Sequence, residues 1–176
     1  MKKLLLVIDY QKDFVNGSLG FPGAEGLDGP IAQKIAQYHA AGDDVAFTLD
    51  THGENYLTTQ EGKRLPVPHC LRGSEGWTLY GESGKSRREG DAVLEKPAFP
   101  SLELGTWLRE KGYDRVELVG LVSYICVLSN AVVAKAALPE AAIVVDAACT
   151  AGPDPTLHKM ALDLMEQALQ ITVVNR

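Results

Sequence analysis

The chain has 176 residues, of which 45% are hydrophobic and 23% charged, and it carries a formal net charge of −6. That length and balance suit one globular domain over residues 1–176 and exclude a disordered chain, while an acidic balance without a basic cluster argues against a nucleic-acid surface. The apolar run at residues 4–8 is too short for a membrane span or a signal-peptide core, and three cysteines (Cys70, Cys126, Cys149) without CxxC spacing point to reduced thiols in the cytoplasm.

The first apolar run, residues 4–8, reads as a strand that ends at Asp9. A helix then starts at Asp28, Gly29 and Pro30, carries Ile31, Ile35 and Tyr38 on one stripe, and stops at Gly42. Residues 45–49 form a second strand ending at Asp50. The stretch from about 50 to 90 is rich in Gly, Pro and charge without sustained periodicity, which marks a long functional or covering loop. Beyond it, strands at 92–95, 116–119, 142–145 and 171–174 alternate with helical patterns at 102–108, 127–137 and 157–169. Strands this continuously apolar are covered on both faces, and their alternation with helices predicts an α/β fold with a doubly wound parallel sheet.

Asp9, Asp50, Lys96 and residues 123–126 each follow a predicted strand. Open parallel sheets bind ligands beyond the carboxyl ends of their strands, so these residues are expected to converge on one cleft. Cys126 falls where a strand turns into a helix, a position whose free amides and positive dipole end favour a thiolate. Taken alone it reads equally as a small core residue. Asp9, at the end of a buried strand, needs a cationic partner or a transferable proton, and Lys96 is the candidate partner. Asp13 reads as a structural turn residue. Asp50 and His52, two apart on an extended segment, project to one side, and Glu61 and His69 are positioned to complete a mixed N/O site for zinc, manganese or iron. The bland alternative is histidines solvated in a polar loop. His39 and His158 lie on predicted helices with no claim to chemistry.

The segments Leu5-Leu-Val-Ile-Asp9-Tyr-Gln-Lys-Asp-Phe14, Lys96-Pro-Ala-Phe99 and Gly120-Leu-Val-Ser-Tyr-Ile-Cys126-Val127 resemble the isochorismatase-like cysteine hydrolase superfamily. Asp50, His52 and His69 in Pro68-His69-Cys70 resemble the metal motif of its nicotinamidase branch, and Glu61 matches a carboxylate ligand of some members. The resemblance implies a six-stranded sheet in the order 3-2-1-4-5-6 and a catalytic group of Asp9, Lys96 and Cys126. It also implies a cis peptide between Val122 and Ser123 in a loop whose Val122 and Cys126 amides hold an oxyanion. Phe14 and Tyr124 would line the substrate pocket, one divalent metal ion, zinc foremost, would bind the substrate's ring nitrogen, and the chain would form a homo-oligomer. The implied reaction is hydrolysis of a small heteroaromatic amide, nicotinamide above all, through a cysteine thioester.

Two positions depart from that pattern. Many nicotinamidases carry a tryptophan shortly before the Pro-His element, where this chain has Leu65-Pro-Val-Pro, and Ser123 stands where threonine is common. The alternatives are an amidase of the same superfamily acting on a carbamoyl or ureido compound, and a catalytically idle small-molecule binding module that keeps the sheet.

Overall fold

Alternate residues of the first strand are claimed by two different cores. Leu4, Leu6 and Ile8 pack into one apolar cluster and Leu5 and Val7 into another, so the strand is covered on both sides. The computed structural model describes residues 1–176. Its strands are β1 (Lys3–Ile8), β2 (Asp44–Asp50), β3 (Ala92–Lys96), β4 (Arg115–Leu121), β5 (Ala142–Ala151) and β6 (Thr172–Val174). All pairings are parallel, and the order across the sheet is β3-β2-β1-β4-β5-β6. This is the doubly wound arrangement that the sequence implies.

The helices are α1 (Lys12–Val15), α2 (Asp28–Ala41), α3 (Gln60–Arg64), α4 (Gly81–Lys85), α5 (Leu102–Lys111), α6 (Leu128–Ala137) and α7 (Pro155–Gln167). Leu104 and Leu108 of α5, Ala131 and Ala134 of α6, and Leu162 and Met165 of α7 belong to the first cluster. Phe14 and Val15 of α1 and Ile31 and Ile35 of α2 belong to the second. α2 ends at Gly42, whose left-handed φ of 72° lets its amide reach back to the last turn. No helix is long and apolar enough to cross a membrane.

The long segment after β2 is more ordered than its sequence indicates. A 3₁₀ turn (Tyr56–Thr58) leads into α3, which Thr59 caps by accepting from the Gly62 amide, and α4 follows. Elements of three to five residues are too short to generate a readable hydrophobic period. Asp13 pins this segment, its Oδ2 accepting from the Cys70 amide at 2.7 Å, which is the structural role its turn position indicates.

Strand order reverses at β1, which has β2 on one side and β4 on the other. The carboxyl ends of β1 to β4 therefore open onto one crevice, as expected at such a switch point. Asp50 and Lys96 are register partners on β2 and β3.

Candidate active site

Asp9, Lys96 and Cys126 meet at this crevice. Lys96 Nζ lies 2.6 Å from Asp9 Oδ2, 3.3 Å from Asp50 Oδ1 and 3.6 Å from Cys126 Sγ, and it donates to the Ala98 carbonyl at 3.1 Å. All three side chains are buried. Asp9 Oδ1 accepts from the Thr48 hydroxyl at 2.6 Å. Asp9 Oδ2 forms the buried ion pair with Lys96 and faces the Cys126 thiol. Asp9 also adopts a φ of 44°, a left-handed conformation that a non-glycine residue keeps only when its surroundings hold it there.

The electrostatics differ from the thiolate expected at a helix start. Burial pushes the Cys126 thiol well above its ordinary value, Asp9 and Asp50 add to this, and Lys96 alone opposes it. Cys126 lies in a π-helical turn (Ser123–Val127) ahead of α6, enclosed by carboxylates and apolar side chains, so desolvation outweighs the helix end. Burial raises Asp9 as well, with Lys96 pulling the other way. Lys96, despite burial, is held charged by Asp9, Cys126 and Asp50. The cluster can thus carry one mobile proton between Asp9 and Cys126 beside a permanent cation.

The cis peptide lies between Leu121 and Val122, one bond earlier than the Val122–Ser123 position that the resemblance implies. β4 stays paired with β5 through Leu121, so the chain leaves the sheet at that bond, and Ser123 already belongs to the π-helical turn. The Val122 carbonyl accepts from the Ile125 and Val127 amides at 3.0 and 3.1 Å, which closes the turn on itself. Asn130, wholly buried, donates to the Cys126 and Phe99 carbonyls and accepts from the Ser101 amide, tying the turn to the segment after Lys96.

Next to this cluster, Asp50, His52 and His69 offer ligand atoms within 4.8 Å of one another. His52 Nε2 and His69 Nε2 lie 3.0 and 3.4 Å from Asp50 Oδ2, and Glu61 Oε1 is 3.6 Å from both nitrogens. Donors bonded to a tetrahedral ion at about 2.0–2.1 Å stand about 3.3–3.4 Å apart, so these spacings fit one small divalent metal. His69 Nδ1 bonds the Val67 carbonyl at 2.8 Å, which leaves Nε2 free as a ligand. Gln11 fixes Asp50 from behind, accepting from its amide at 2.8 Å and donating to its carbonyl at 2.9 Å. Burial would raise Asp50, but hydrogen bonds from His52 and His69 and the nearby Lys96 outweigh it and hold the carboxyl below the ordinary range.

A cavity of about 220 Å³ joins the two groups, with Cys126, Asp50, Glu61 and His69 in its wall. Its apolar wall is Phe14, Leu19, Leu65, Phe99, Val122, Ile125 and Pro153. Phe14, which the resemblance puts in the substrate pocket, borders this cavity. Tyr124, which it also puts there, does not: it faces a separate groove against α7, and its hydroxyl accepts from the Asp154 amide at 3.3 Å. Tyr124 packs against the second core cluster, whereas Ile125, the next residue, borders the cavity. Ser123 is buried behind the turn, and its hydroxyl meets Nδ1 of His158 at 2.8 Å, so His158 is not the idle helix residue that its position suggests.

Residues 3–175 match the family described as the isochorismatase domain. The chain belongs to the isochorismatase-like family. It is 35% identical over 144 residues to an uncharacterized isochorismatase family protein, PncA, of Bacillus subtilis, covering 75% of this chain and 78% of that one. It is 30% identical over 148 residues to the nicotinamidase/pyrazinamidase of Mycobacterium tuberculosis, covering 73% and 76%. The crystal structure of nicotinamidase/pyrazinamidase PncA from Bacillus subtilis superimposes with a TM-score of 0.87 at 30% identity, covering 99% of this chain and 100% of that one. This isochorismatase-like chain is thus an amidase-type hydrolase of the nicotinamidase branch.

Proposed function

We propose that residues 1–176 act as one domain that hydrolyses nicotinamide, or a close heteroaromatic amide, to the acid and ammonia through a thioester on Cys126. The observation that carries this reading is a single small cavity bordered at once by the Cys126 thiol and by Asp50, Glu61 and His69. A flat ring with a polar nitrogen on one side and a carboxamide on the other suits such a site.

In this mechanism the Asp9 carboxylate takes the Cys126 proton as the sulfur attacks the amide carbonyl, so the high resting position of the thiol is no obstacle. The oxyanion is received by the amides of Val122 and Cys126. Asp9 returns the proton to the leaving nitrogen and ammonia departs. Water then attacks the thioester with Asp9 as base, releasing the acid and restoring the thiol. Lys96 stays protonated throughout and balances the negative charge passed between Asp9 and Cys126. Asp50, His52, His69 and Glu61 would hold the divalent metal, which when bound would engage the ring nitrogen and orient the carboxamide toward the thiol.

Ammonia release from nicotinamide by purified protein, before and after chelation, tests the proposal. Release that stops on chelation, returns with metal and is abolished in Cys126→Ala is the expected result. Persistent release from Cys126→Ala would sink the thioester route, and no release from metal-loaded protein would move the substrate to another amide. We further propose a homo-oligomer, which would cover Leu157, Met160 and Leu164, an exposed apolar stripe on α7. Light scattering at a monomer mass would reject it.

A further inference from the structure

The end of β5, the segment that follows it and the start of α7 hold the turn that carries Cys126 at Thr150, Gly152, Asp154 and His158. Thr150 donates to the Gly120 carbonyl at 2.7 Å, on the strand leading into the turn. Gly152 is packed so closely that a Cβ there would overlap the Tyr124 ring and press on Val122. Asp154 caps α7 by accepting from the Thr156 and Leu157 amides, while its own amide donates to Tyr124. One turn further along α7, His158 meets the Ser123 hydroxyl, which has no other hydrogen-bond partner.

Ser123 is the corner of the turn. Its carbonyl accepts from the Leu128 amide, its side chain is wholly buried, and it directly follows Val122, whose amide is one of the two proposed oxyanion donors. Rotation at Ser123 would swing that amide and shift the register of the turn down to Cys126. A buried hydroxyl without a partner is unfavourable, so deleting the imidazole leaves the corner free to reorient toward another acceptor.

We infer that His158 is a positioning residue for the amidase reaction: through Nδ1 it fixes the Ser123 hydroxyl and thereby holds the Val122 and Cys126 amides and the thiol in their reactive arrangement. The ring is suited to that task. Burial and the nearby Arg176 both lower its proton affinity, so it is neutral at neutral pH, and with its proton on Nε2 it leaves Nδ1 to accept from the serine. His158 does not border the cavity and touches no substrate. Its effect passes through one hydrogen bond.

The inference rests on Cys126 being the nucleophile, and the test separates the two. His158→Leu removes the acceptor and keeps the bulk, His158→Asn puts an oxygen near the place of Nδ1, and Ser123→Ala removes the other partner. For each, and for the Ser123→Ala/His158→Leu double variant, kcat and KM for the amide are measured with the iodoacetamide alkylation rate of Cys126. In His158→Leu, kcat is expected to fall about tenfold or more, toward the roughly 10²-fold cost of a 1 Å misplacement, with KM nearly unchanged and alkylation slowed in proportion. His158→Asn recovers most of the loss, and the double variant is no worse than either single one. Losses that multiply in the double variant, or an asparagine no better than leucine, would refute the positioning role. Rapid wild-type alkylation unchanged in His158→Leu would overturn this inference alone. A wild-type Cys126 no more reactive than Cys70 and Cys149 would overturn the nucleophile reading and this inference with it.

Discussion

Lys96 Nζ lies 2.6 Å from Asp9 Oδ2, and neither side chain has any exposure. A buried ion pair of this kind is a weak source of stability, because desolvating both charges offsets much of their attraction. In the proposed mechanism its value lies in keeping a full positive charge beside a carboxylate and a thiol that exchange one proton. Lys96→Met, which preserves length and apolar volume, is expected to fold, with Asp9 taking up a proton in place of its lost partner. Turnover should fall by roughly 10²–10⁴-fold, the usual scale for disabling acid–base catalysis. Activity assays on protein of native circular dichroism check this, and a variant near wild-type rate would remove Lys96 from the chemistry.

The metal site makes a graded prediction. Asp50 bridges both histidines and contacts Lys96, whereas Glu61 approaches from α3 at the longer distance of 3.6 Å and is the more exposed carboxylate. Asp50→Ala and His69→Ala should therefore lose bound metal to background in elemental analysis. Glu61→Ala should retain metal with affinity lowered by about 10–100-fold, the scale of losing a peripheral contact. Equal loss in all variants would mean that Glu61 is a full ligand.

Much of this site is visible in the sequence because its members sit at strand ends, where a polar residue after an apolar run stands out. Asp9 follows β1 and Asp50 and Lys96 end β2 and β3 in that way, and both faces of β1 are apolar enough to mark it unaided. What holds those residues is less visible. Thr48 lies inside β2 and Gln11 just after β1, and each acts on a residue brought close only by the fold. Asn130 is an ordinary helix residue until α6 packs beside the segment after Lys96, and His158 until α7 docks on the Cys126 turn. The cis bond is misplaced by one residue because motif spacing does not reveal where β4 releases its partner.

A second buried charge cluster lies on the α2 face of the sheet and makes a stability prediction. Lys34 Nζ is 2.5 Å from Glu117 Oε1 and 2.7 Å from Asp146 Oδ2, and Tyr38 donates to Glu117 at 2.7 Å. Burial would raise Glu117, but hydrogen bonds from Lys34 and Tyr38 outweigh it and hold the carboxyl below its ordinary 4.5. A depressed carboxylate stabilises the fold above its unfolded value, and that contribution is lost as pH falls below 4.5 through the folded value. Lys34→Met leaves Asp146 without its lysine and Glu117 with only the partly exposed Arg115 at 3.3 Å, and should cost about 3 kcal/mol at pH 7. With burial then raising Glu117, the deficit should shrink as the medium is acidified. Urea unfolding at pH 7 and pH 4 checks both statements, and a deficit that grows at pH 4 would contradict the assignment.

Gly120 precedes the Cys126 turn with a φ of 107°, and a Cβ there would overlap the Ile8 carbonyl oxygen on the neighbouring strand. β1 and β4 approach this closely where Asp9 and the turn emerge side by side. Gly120→Ala should cost about 2–3 kcal/mol through backbone strain, and more if the strands are forced apart. Activity should fall further than the stability loss explains, because β1 and β4 carry Asp9 and Cys126. Thermal unfolding and assays well below the melting temperature distinguish these effects, and an alanine variant of wild-type stability would contradict the packing.

Leu65 raises the question of substrate fit. It borders the cavity together with Glu61, Phe14, Phe99 and Ile125, in the stretch just before Pro68-His69. A leucine side chain leaves more room and offers no flat face for stacking, so a bare pyridine ring should be held loosely while ring-substituted amides are accommodated. Leu65→Trp is expected to fill part of the roughly 220 Å³ space and supply an aromatic wall. It should lower KM for nicotinamide by about three- to tenfold, matching a stacking contribution of about 0.5–1.5 kcal/mol, and leave kcat nearly unchanged. The same change should raise KM for amides bearing a methyl or larger group on the ring, through overpacking. Steady-state kinetics on a matched substrate pair measures both. A tryptophan variant that loses ground equally on the two substrates would show that the cavity has no spare volume at Leu65, and that nicotinamide already fills it.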